Sequence, residues 1–144
     1  DKGELTPEGK DVIPWDERVL ESNRFGVRIA EHRWILKREK ILTYWQELHD
    51  DPERLARLFV SMKPDRIDGK IAGYQLEKQG EQEFYDNVGL LEGDIVRTVN
   101  SMKMTRQERA AYFMREFLND RLGAVVLDIE RNGEDMKLIY FLRK

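Results

Sequence analysis

Few side chains in this sequence could act as nucleophiles or metal ligands. There are no cysteines and two histidines, His32 and His49. Thiolate nucleophiles, disulfides and cysteine-bound metals are therefore excluded, and a zinc site at the histidines would need carboxylates to complete it. The serines, Ser22, Ser61 and Ser101, lie outside any Gly-x-Ser-x-Gly motif. The sequence predicts no enzymatic activity, no catalytic residue, no metal site and no cofactor.

Charged side chains are numerous but balanced in sign. The sequence has 25 basic and 28 acidic residues, which gives a formal net charge of -3. Nucleic-acid-binding domains usually carry a basic excess that neutralises phosphates, so this class of partner is not expected. No apolar run approaches the roughly 20 residues that span a bilayer. We expect any membrane anchor to lie upstream of Asp1.

The pattern of apolar residues divides the chain into three parts. Residues 1–24 are polar, with Gly and Pro, and are interpreted as a linker or flexible lead-in. Residues 25–57 predict a short strand and then helices, which we interpret as a helical extension packed on the following domain. Asp51 or Asp50 is expected to cap the second of these helices, which starts at Pro52. Phe59 and Val60 are expected to begin a strand, and residues 58–144 form the main domain.

The main domain predicts short antiparallel strands and two helices. Asp68-Gly69 and Asn132-Gly133 are typical of tight hairpin turns. Strands are expected at 71–76, 95–99, 124–131 and 136–142, and a short helical turn at 81–87. Thr105 followed by Glu108 predicts a capping box that opens a second helix. The expected fold class is α+β, a small antiparallel β-sandwich or barrel preceded by the helical extension.

The helix after Thr105 carries more apolar surface than a core contact needs. Its apolar side chains cover an arc of about 160°, whereas a stripe of about 100° suffices to face a core. Either this helix is buried more deeply than an average surface helix, or one edge of it lines a groove, and we infer the groove. The residues assigned to that edge are Arg106, Arg109, Ala110, Phe113 and Phe117.

The strand predicted at residues 71–76 is the second wall of that groove. Gly73 allows a bend or a close backbone approach, and free N–H groups near Ala72 to Tyr74 could hold an anionic group. An extended peptide could add to the open edge of this strand. The residues assigned to this wall are Ile71, Ala72, Gly73, Tyr74 and Leu76.

Several motifs resemble a bacterial PDZ domain. These are Gly-Lys-Ile-Ala-Gly-Tyr-Gln-Leu at 69–76, Gly-Leu-Leu-Glu-Gly-Asp-Ile-Val at 89–96, Val99-Asn100, and the hairpin Glu-Arg-Asn-Gly at 130–133. With the upstream segments 25–41, 51–52 and 58–64, the chain resembles the C component of the bacterial type II secretion system.

This resemblance implies a periplasmic, peptide-binding function. The parent protein would be anchored in the inner membrane, with the PDZ domain recognising exported proteins, the secretin or other secretion components. The groove could take a free C-terminus or an internal segment. Two alternatives stay open: a PDZ regulatory domain of a periplasmic HtrA-like or membrane protease, and a scaffold that oligomerises, for example as a homo-dimer.

Overall fold

A computed structural model of the chain describes residues 19–77 and 80–144. Most of the predicted lead-in, residues 1–18, lies outside the described residues. The strands are β1 Glu21–Ser22, β2 Gly26–Ala30, β3 Arg33–Lys37, β4 Met62–Ile67, β5 Lys70–Leu76, β6 Ile95–Val99, β7 Met102–Lys103, β8 Ala124–Arg131 and β9 Glu134–Arg143. The helices are α1 Arg38–His49, α2 Pro52–Val60, α3 Gln82–Asn87 and α4 Gln107–Leu118.

The described strands form one mixed sheet. Its order is β1-β2-β3-β9-β8-β6-β5-β4, and β7 pairs with β6 off this path. The α+β class is confirmed, and the strand pairs within residues 58–144 are antiparallel as expected, whereas β3 of the preceding segment pairs with β9 in parallel. No tight turn joins these two strands, so turn geometry does not force them to run antiparallel.

Both predicted hairpin turns are confirmed. Asp68 and Gly69 have φ angles of 53° and 79°, and Asn132 and Gly133 have φ angles of 53° and 80°. Two consecutive positive φ angles are typical of the type I′ turn, whose twist matches that of paired strands. These turns set the registers of β4 on β5 and of β8 on β9.

The buried core draws on both halves of the chain. Phe25 and Leu138 are fully buried, and Trp34 stacks on Tyr140 with ring centroids 5.1 Å apart. The other buried members of the core are Leu36, Tyr44, Leu48, Leu76, Tyr85, Val88, Leu90 and Ile129. Residues 25–57 therefore contribute a β-hairpin and apolar helix faces to the same core as residues 58–144.

Two local expectations are wrong. Phe59 and Val60 belong to α2 rather than to a strand, because this helix continues while Leu58 packs against the core. The domain boundary predicted between residues 57 and 58 falls inside α2, and the division into domains stays a prediction. Helix α4 begins at Gln107 after Arg106 and has no side-chain cap. Thr105 lies one position too early to form the predicted capping box.

Candidate functional site

An apolar cavity lies between α4 and the sheet. Its volume is about 330 Å³. Helix α4 supplies Ala110, Phe113, Met114 and Phe117, and the facing wall includes residues of β3, β8, β9 and α3. We call this space the α4 cavity. Three of the groove residues predicted on the helix, Ala110, Phe113 and Phe117, are therefore brought together at one surface.

The wall of the α4 cavity offers almost no hydrogen-bonding groups. Among the described residues that line it, Tyr140 is the one whose side chain carries an oxygen or nitrogen. The Tyr140 hydroxyl donates a hydrogen bond to the Val88 carbonyl, and burial raises the pKa of this phenol. A water molecule there would lack the polar partners that stabilise buried water. The cavity is therefore suited to apolar groups.

The α4 cavity reaches the protein surface at Ala110. Ala110 lines the cavity and is also exposed, whereas the next residue, Ala111, is exposed without lining it. The two arginines predicted at this edge of the helix do not line the cavity. Arg106 is exposed just before the helix, and the Arg109 guanidinium donates to the Lys103 carbonyl at 2.8 Å.

The structure closes part of the strand edge that was predicted to be open, at Tyr74 and Gln75, while no described strand pairs with residues 71–73 on that side. Strand β5 is paired on both sides, with β4 along most of its length and with β6 at Tyr74 and Gln75. Leu76 is buried in the core, and none of the predicted residues of β5 lines the α4 cavity. The hairpin turn alone does not decide which of its two strands pairs with β6, and this long-range pairing places β4 outermost.

Strand β4 is the last strand of the sheet in the part of the chain that the structure describes. Its outer side presents backbone N–H and C=O groups that no described strand pairs. Pro64 lies in this strand, as is typical of edge strands, because proline lacks an N–H. Three large apolar residues are exposed at its ends: Phe59 at 51% and Val60 at 76% in the helix just before it, and Ile67 at 53% as its last residue. We call β4 with these three residues the β4 edge.

Arg97 ties the β4 edge to the rest of the sheet. Its guanidinium donates to the Asp65 carboxylate of β4 at 2.7 Å, to the Ala72 carbonyl of β5 at 2.7 Å and to the Glu130 carboxylate of β8 at 2.9 Å. These charge-assisted bonds brace four strands through one side chain. Arg97 was not predicted from the sequence, although a single charge inside the β-branched run 95–99 is a signal.

Gly73 makes the close backbone approach that its position predicted. Its φ angle is 143°, and a Cβ added there would lie 2.6 Å from the Val96 carbonyl oxygen. Burial, and to a smaller extent the Glu108 carboxylate, raise the pKa of the Tyr74 phenol beside it. An anion-binding role for Ala72 to Tyr74 stays a prediction.

A buried carboxylate fixes the helix that leads into β4. Glu81 is 3% exposed and accepts two hydrogen bonds from the Arg54 guanidinium of α2, at 2.7 and 2.9 Å. The Tyr44 hydroxyl of α1 also donates to Glu81. Burial alone would raise the pKa of Glu81, but the hydrogen bonds from Arg54 and Tyr44 lower it below the ordinary value. The network joins α1 and α2 to the start of α3.

The two histidines have different neighbours in the structure. His32 lies 3.7 Å from a Glu31 oxygen, and the His49 ring packs on Trp45. Among residues 19–77 and 80–144, no group of three or more His, Asp or Glu side chains is placed to hold a metal ion. Within the same residues, no helix is both long and apolar enough to cross a membrane.

Comparison with known proteins places the chain beside secretion proteins. No family model matches it. The chain is 23% identical over 96 residues to the type II secretion system protein C of Aeromonas salmonicida, a match that covers 67% of this chain and 32% of that protein. The chain thus spans about a third of the length of this relative. The resemblance to this component that the sequence motifs indicate is confirmed.

Two solved PDZ domains are also similar. The PDZ domain of EpsC from Vibrio cholerae has a TM-score of 0.45 and 17% identity, covering 66% of this chain and 98% of that one. The PDZ domain of the pullulanase C protein of type II secretion from Klebsiella pneumoniae, in complex with fatty acid, has a TM-score of 0.41 and 23% identity. The latter match covers 57% of this chain and 82% of that one.

Proposed function

We propose that this chain is a protein-binding PDZ module of a type II secretion component, working on the periplasmic side of the inner membrane. The similarity to protein C favours a function in type II secretion over the two alternatives, a regulatory domain of a protease and an oligomerising scaffold. Because the match covers a third of that relative, the membrane anchor upstream and the contacts with the secretin are part of the proposal. The expected partners are exported proteins or other secretion components, and no enzymatic activity is expected.

The observation that carries this proposal is the β4 edge. An edge strand with unpaired N–H and C=O groups can accept an extended segment of a partner as an added strand. The exposed side chains of Phe59, Val60 and Ile67 provide apolar contacts next to those hydrogen bonds. Main-chain pairing would supply affinity, and pockets for alternate side chains of the partner would supply specificity.

The rest of the proposed groove comes from the sequence prediction. The Glu108 carboxylate of α4 contributes to the raised pKa of Tyr74, and Arg106 lies exposed just before that helix. Tyr74 pairs with Pro64 on the inner side of β4, so β4 separates it from a peptide that is added to the outer side. We therefore propose the outer side of β4 as the binding surface, and the groove between β5 and α4 stays a prediction from the sequence.

A peptide-binding measurement tests the β4 edge. Short overlapping peptides from the exported proteins and the secretin of the bacterium that encodes the chain would be titrated by fluorescence anisotropy. For the peptide that binds best, Phe59→Ser should weaken binding by about tenfold, as expected for an exposed apolar anchor. Leu91→Ser is the matched control, because Leu91 is 47% exposed and belongs to no part of the β4 edge. Equal losses in both variants, or no binding peptide, would refute the proposal.

A second candidate function is the binding of one aliphatic chain in the α4 cavity. An apolar cavity of about 150 Å³ can stay dry and take up benzene. The α4 cavity is larger, at about 330 Å³, and equally poor in polar groups. It therefore has room for a chain of several methylene groups that enters beside Ala110.

Adjacent alanines give this second candidate a matched test. Ala110→Trp would place an indole in the opening of the α4 cavity, and Ala111→Trp would place the same group on the neighbouring exposed position. With decanoic acid as the probe in isothermal titration calorimetry, the first substitution should abolish binding and the second should leave it unchanged. Binding to both variants with the wild-type affinity would remove the cavity as the site.

A further inference from the structure

Helix α4 has little buried surface. Of its twelve residues, only Phe117 is buried, while Ala110 and Ala111 are exposed and Phe113 and Met114 lie half-buried on the cavity. A helix whose middle faces a cavity lacks the packing that gives most helices in proteins their stability. The contacts at its C-terminal end, where Phe117 lies, are therefore important for how firmly α4 is positioned.

The C-terminal end of α4 is held by one side chain from another part of the chain. The Arg38 guanidinium donates hydrogen bonds to the carbonyls of Phe117 and Leu118, each at 3.1 Å. It also lies over the Phe117 ring, 5.3 Å from the ring centroid, which is within the distance of about 6 Å at which a cation is attracted to an aromatic face. The last carbonyls of a helix have no partner within it, and a cation there is favoured by the helix dipole.

Arg38 connects α4 to the N-terminal hairpin. It is the first residue of α1 and directly follows β3, whose Leu36 lines the α4 cavity from the opposite side. A shift of β3 and α1 would therefore move the Arg38 guanidinium and the cavity wall together. Because Leu36 is buried in the core, the position of Arg38 is set by packing and not by a flexible loop.

One hydrogen-bond donor of the Arg38 guanidinium, its Nε–H group, has no hydrogen-bond partner. Arg38 Nε lies 3.3 Å from an Asp120 carboxylate oxygen, but it is buried and forms no hydrogen bond. Asp120 in turn lies 2.9 Å from the Lys144 ammonium group. An unmade hydrogen bond of a buried charged donor is costly. The attachment is therefore weaker than a fully bonded arginine would give.

We propose that Arg38 is a positioning residue that clamps α4 over the α4 cavity and controls entry to it. Releasing this clamp would let the C-terminal half of α4 move away from β8 and β9 while the sheet stays folded. Movement of the N-terminal hairpin would then be coupled to the cavity through one side chain. The entry control rests on the second candidate function, the binding of an aliphatic chain, whereas the clamp itself does not.

Hydrogen exchange of the free protein tests the clamp without any ligand. Amide exchange, followed by mass spectrometry, would be compared for the wild type, Arg38→Gln and Arg38→Lys. In Arg38→Gln, amides of residues 113–120 should exchange about tenfold faster, which corresponds to about 1.4 kcal/mol, while those of β8 and β9 keep their rates. Arg38→Lys keeps the charge but loses the fork of donors and should fall between the two. Lys40→Gln is the control, because Lys40 is exposed on the same helix.

Two results would overturn the clamp. The first is unchanged exchange at residues 113–120 in Arg38→Gln. The second is an equal rise across β8 and β9, which would show that Arg38 stabilises the whole fold and not α4 in particular. Either result stands whether or not a ligand binds.

Stopped-flow binding of decanoic acid then tests entry control. If the wild type binds this probe, Arg38→Gln should raise the dissociation rate of the probe by about tenfold, because the same opening of α4 is expected to speed amide hydrogen exchange by that factor. Lys40→Gln should leave the dissociation rate unchanged. An unchanged dissociation rate would refute entry control. If the wild type does not bind the probe, the second candidate function and the entry control fail together, and the exchange result alone decides the clamp.

Discussion

The β4 edge and the α4 cavity offer a ligand different chemistry. The β4 edge presents backbone donors and acceptors beside exposed apolar side chains, and Arg97 braces it against three other strands. The α4 cavity presents apolar side chains under a helix with one buried residue. The first is a firm surface suited to a peptide backbone, and the second is a looser space suited to a hydrocarbon.

This difference follows from how each region is held. Strand β4 is fixed by a tight turn, by pairing with β5 and by the ion pair of Asp65 with Arg97. Helix α4 depends on contacts at its C-terminal end, including those from Arg38. Regions with few buried contacts open at low free-energy cost, whereas paired core strands open only with global unfolding. We therefore expect α4 to be the more mobile of the two.

Aspartate substitutions should separate the core side of the hairpin from the cavity wall. Leu76→Asp would bury a charge in the core, since Leu76 is 4% exposed, and should cost about 4 kcal/mol or more of unfolding free energy. Phe113→Asp would place the charge on the half-buried cavity wall and should cost about 1 kcal/mol. Urea unfolding followed by circular dichroism measures both. Similar losses would mean that α4 is packed as firmly as β5.

Alanine substitutions at two glycines of the hairpin should lower the stability by different amounts, with the larger loss in the paired strand and the smaller loss in the turn. Gly73→Ala would drive a Cβ against the Val96 carbonyl and should cost about 3 kcal/mol through backbone displacement. In Gly69→Ala the new Cβ would meet no atom within 4 Å, but alanine would have to adopt the positive φ angle of 79°. This substitution should therefore lower the free energy of unfolding by about 1 kcal/mol. Thermal unfolding of the two variants compares them. A smaller loss in Gly73→Ala would show that β5 and β6 are not locked together.

Acid should loosen the helix that leads into β4. The pKa of Glu81 is lowered in the folded state, so its carboxylate adds stability above the unfolded pKa. That contribution is lost as the pH falls through the folded pKa. Urea unfolding between pH 7 and about pH 3 should show a smaller loss of stability in Glu81→Gln than in the wild type, because the variant cannot titrate there. Parallel pH profiles for the two proteins would contradict the role assigned to Glu81.

Local signals predicted much of the fold, and long-range pairing determined the rest. Turn residues such as Asn132-Gly133, and the alternation of strands 71–76 and 124–131, act over short distances and were recognised correctly. Which strand of the Asp68-Gly69 hairpin lies outermost depends on the pairing of Tyr74 with Val96, which no local pattern reveals. The excess apolar surface of α4 correctly indicated that the helix borders a space in addition to the core. The opposite wall of that space is formed by elements distant in sequence, and the sequence pattern did not identify them.

Hydrogen exchange at β4 tests the central proposal most directly. The best-binding peptide would be added to the protein, and exchange of individual amides would be followed by nuclear magnetic resonance. We predict slower exchange at amides of residues 62–67, where an added strand would pair, with the amides of β8 unchanged. Protection confined to α4, with residues 62–67 exchanging as in the free protein, would contradict the assignment of the β4 edge as the binding site.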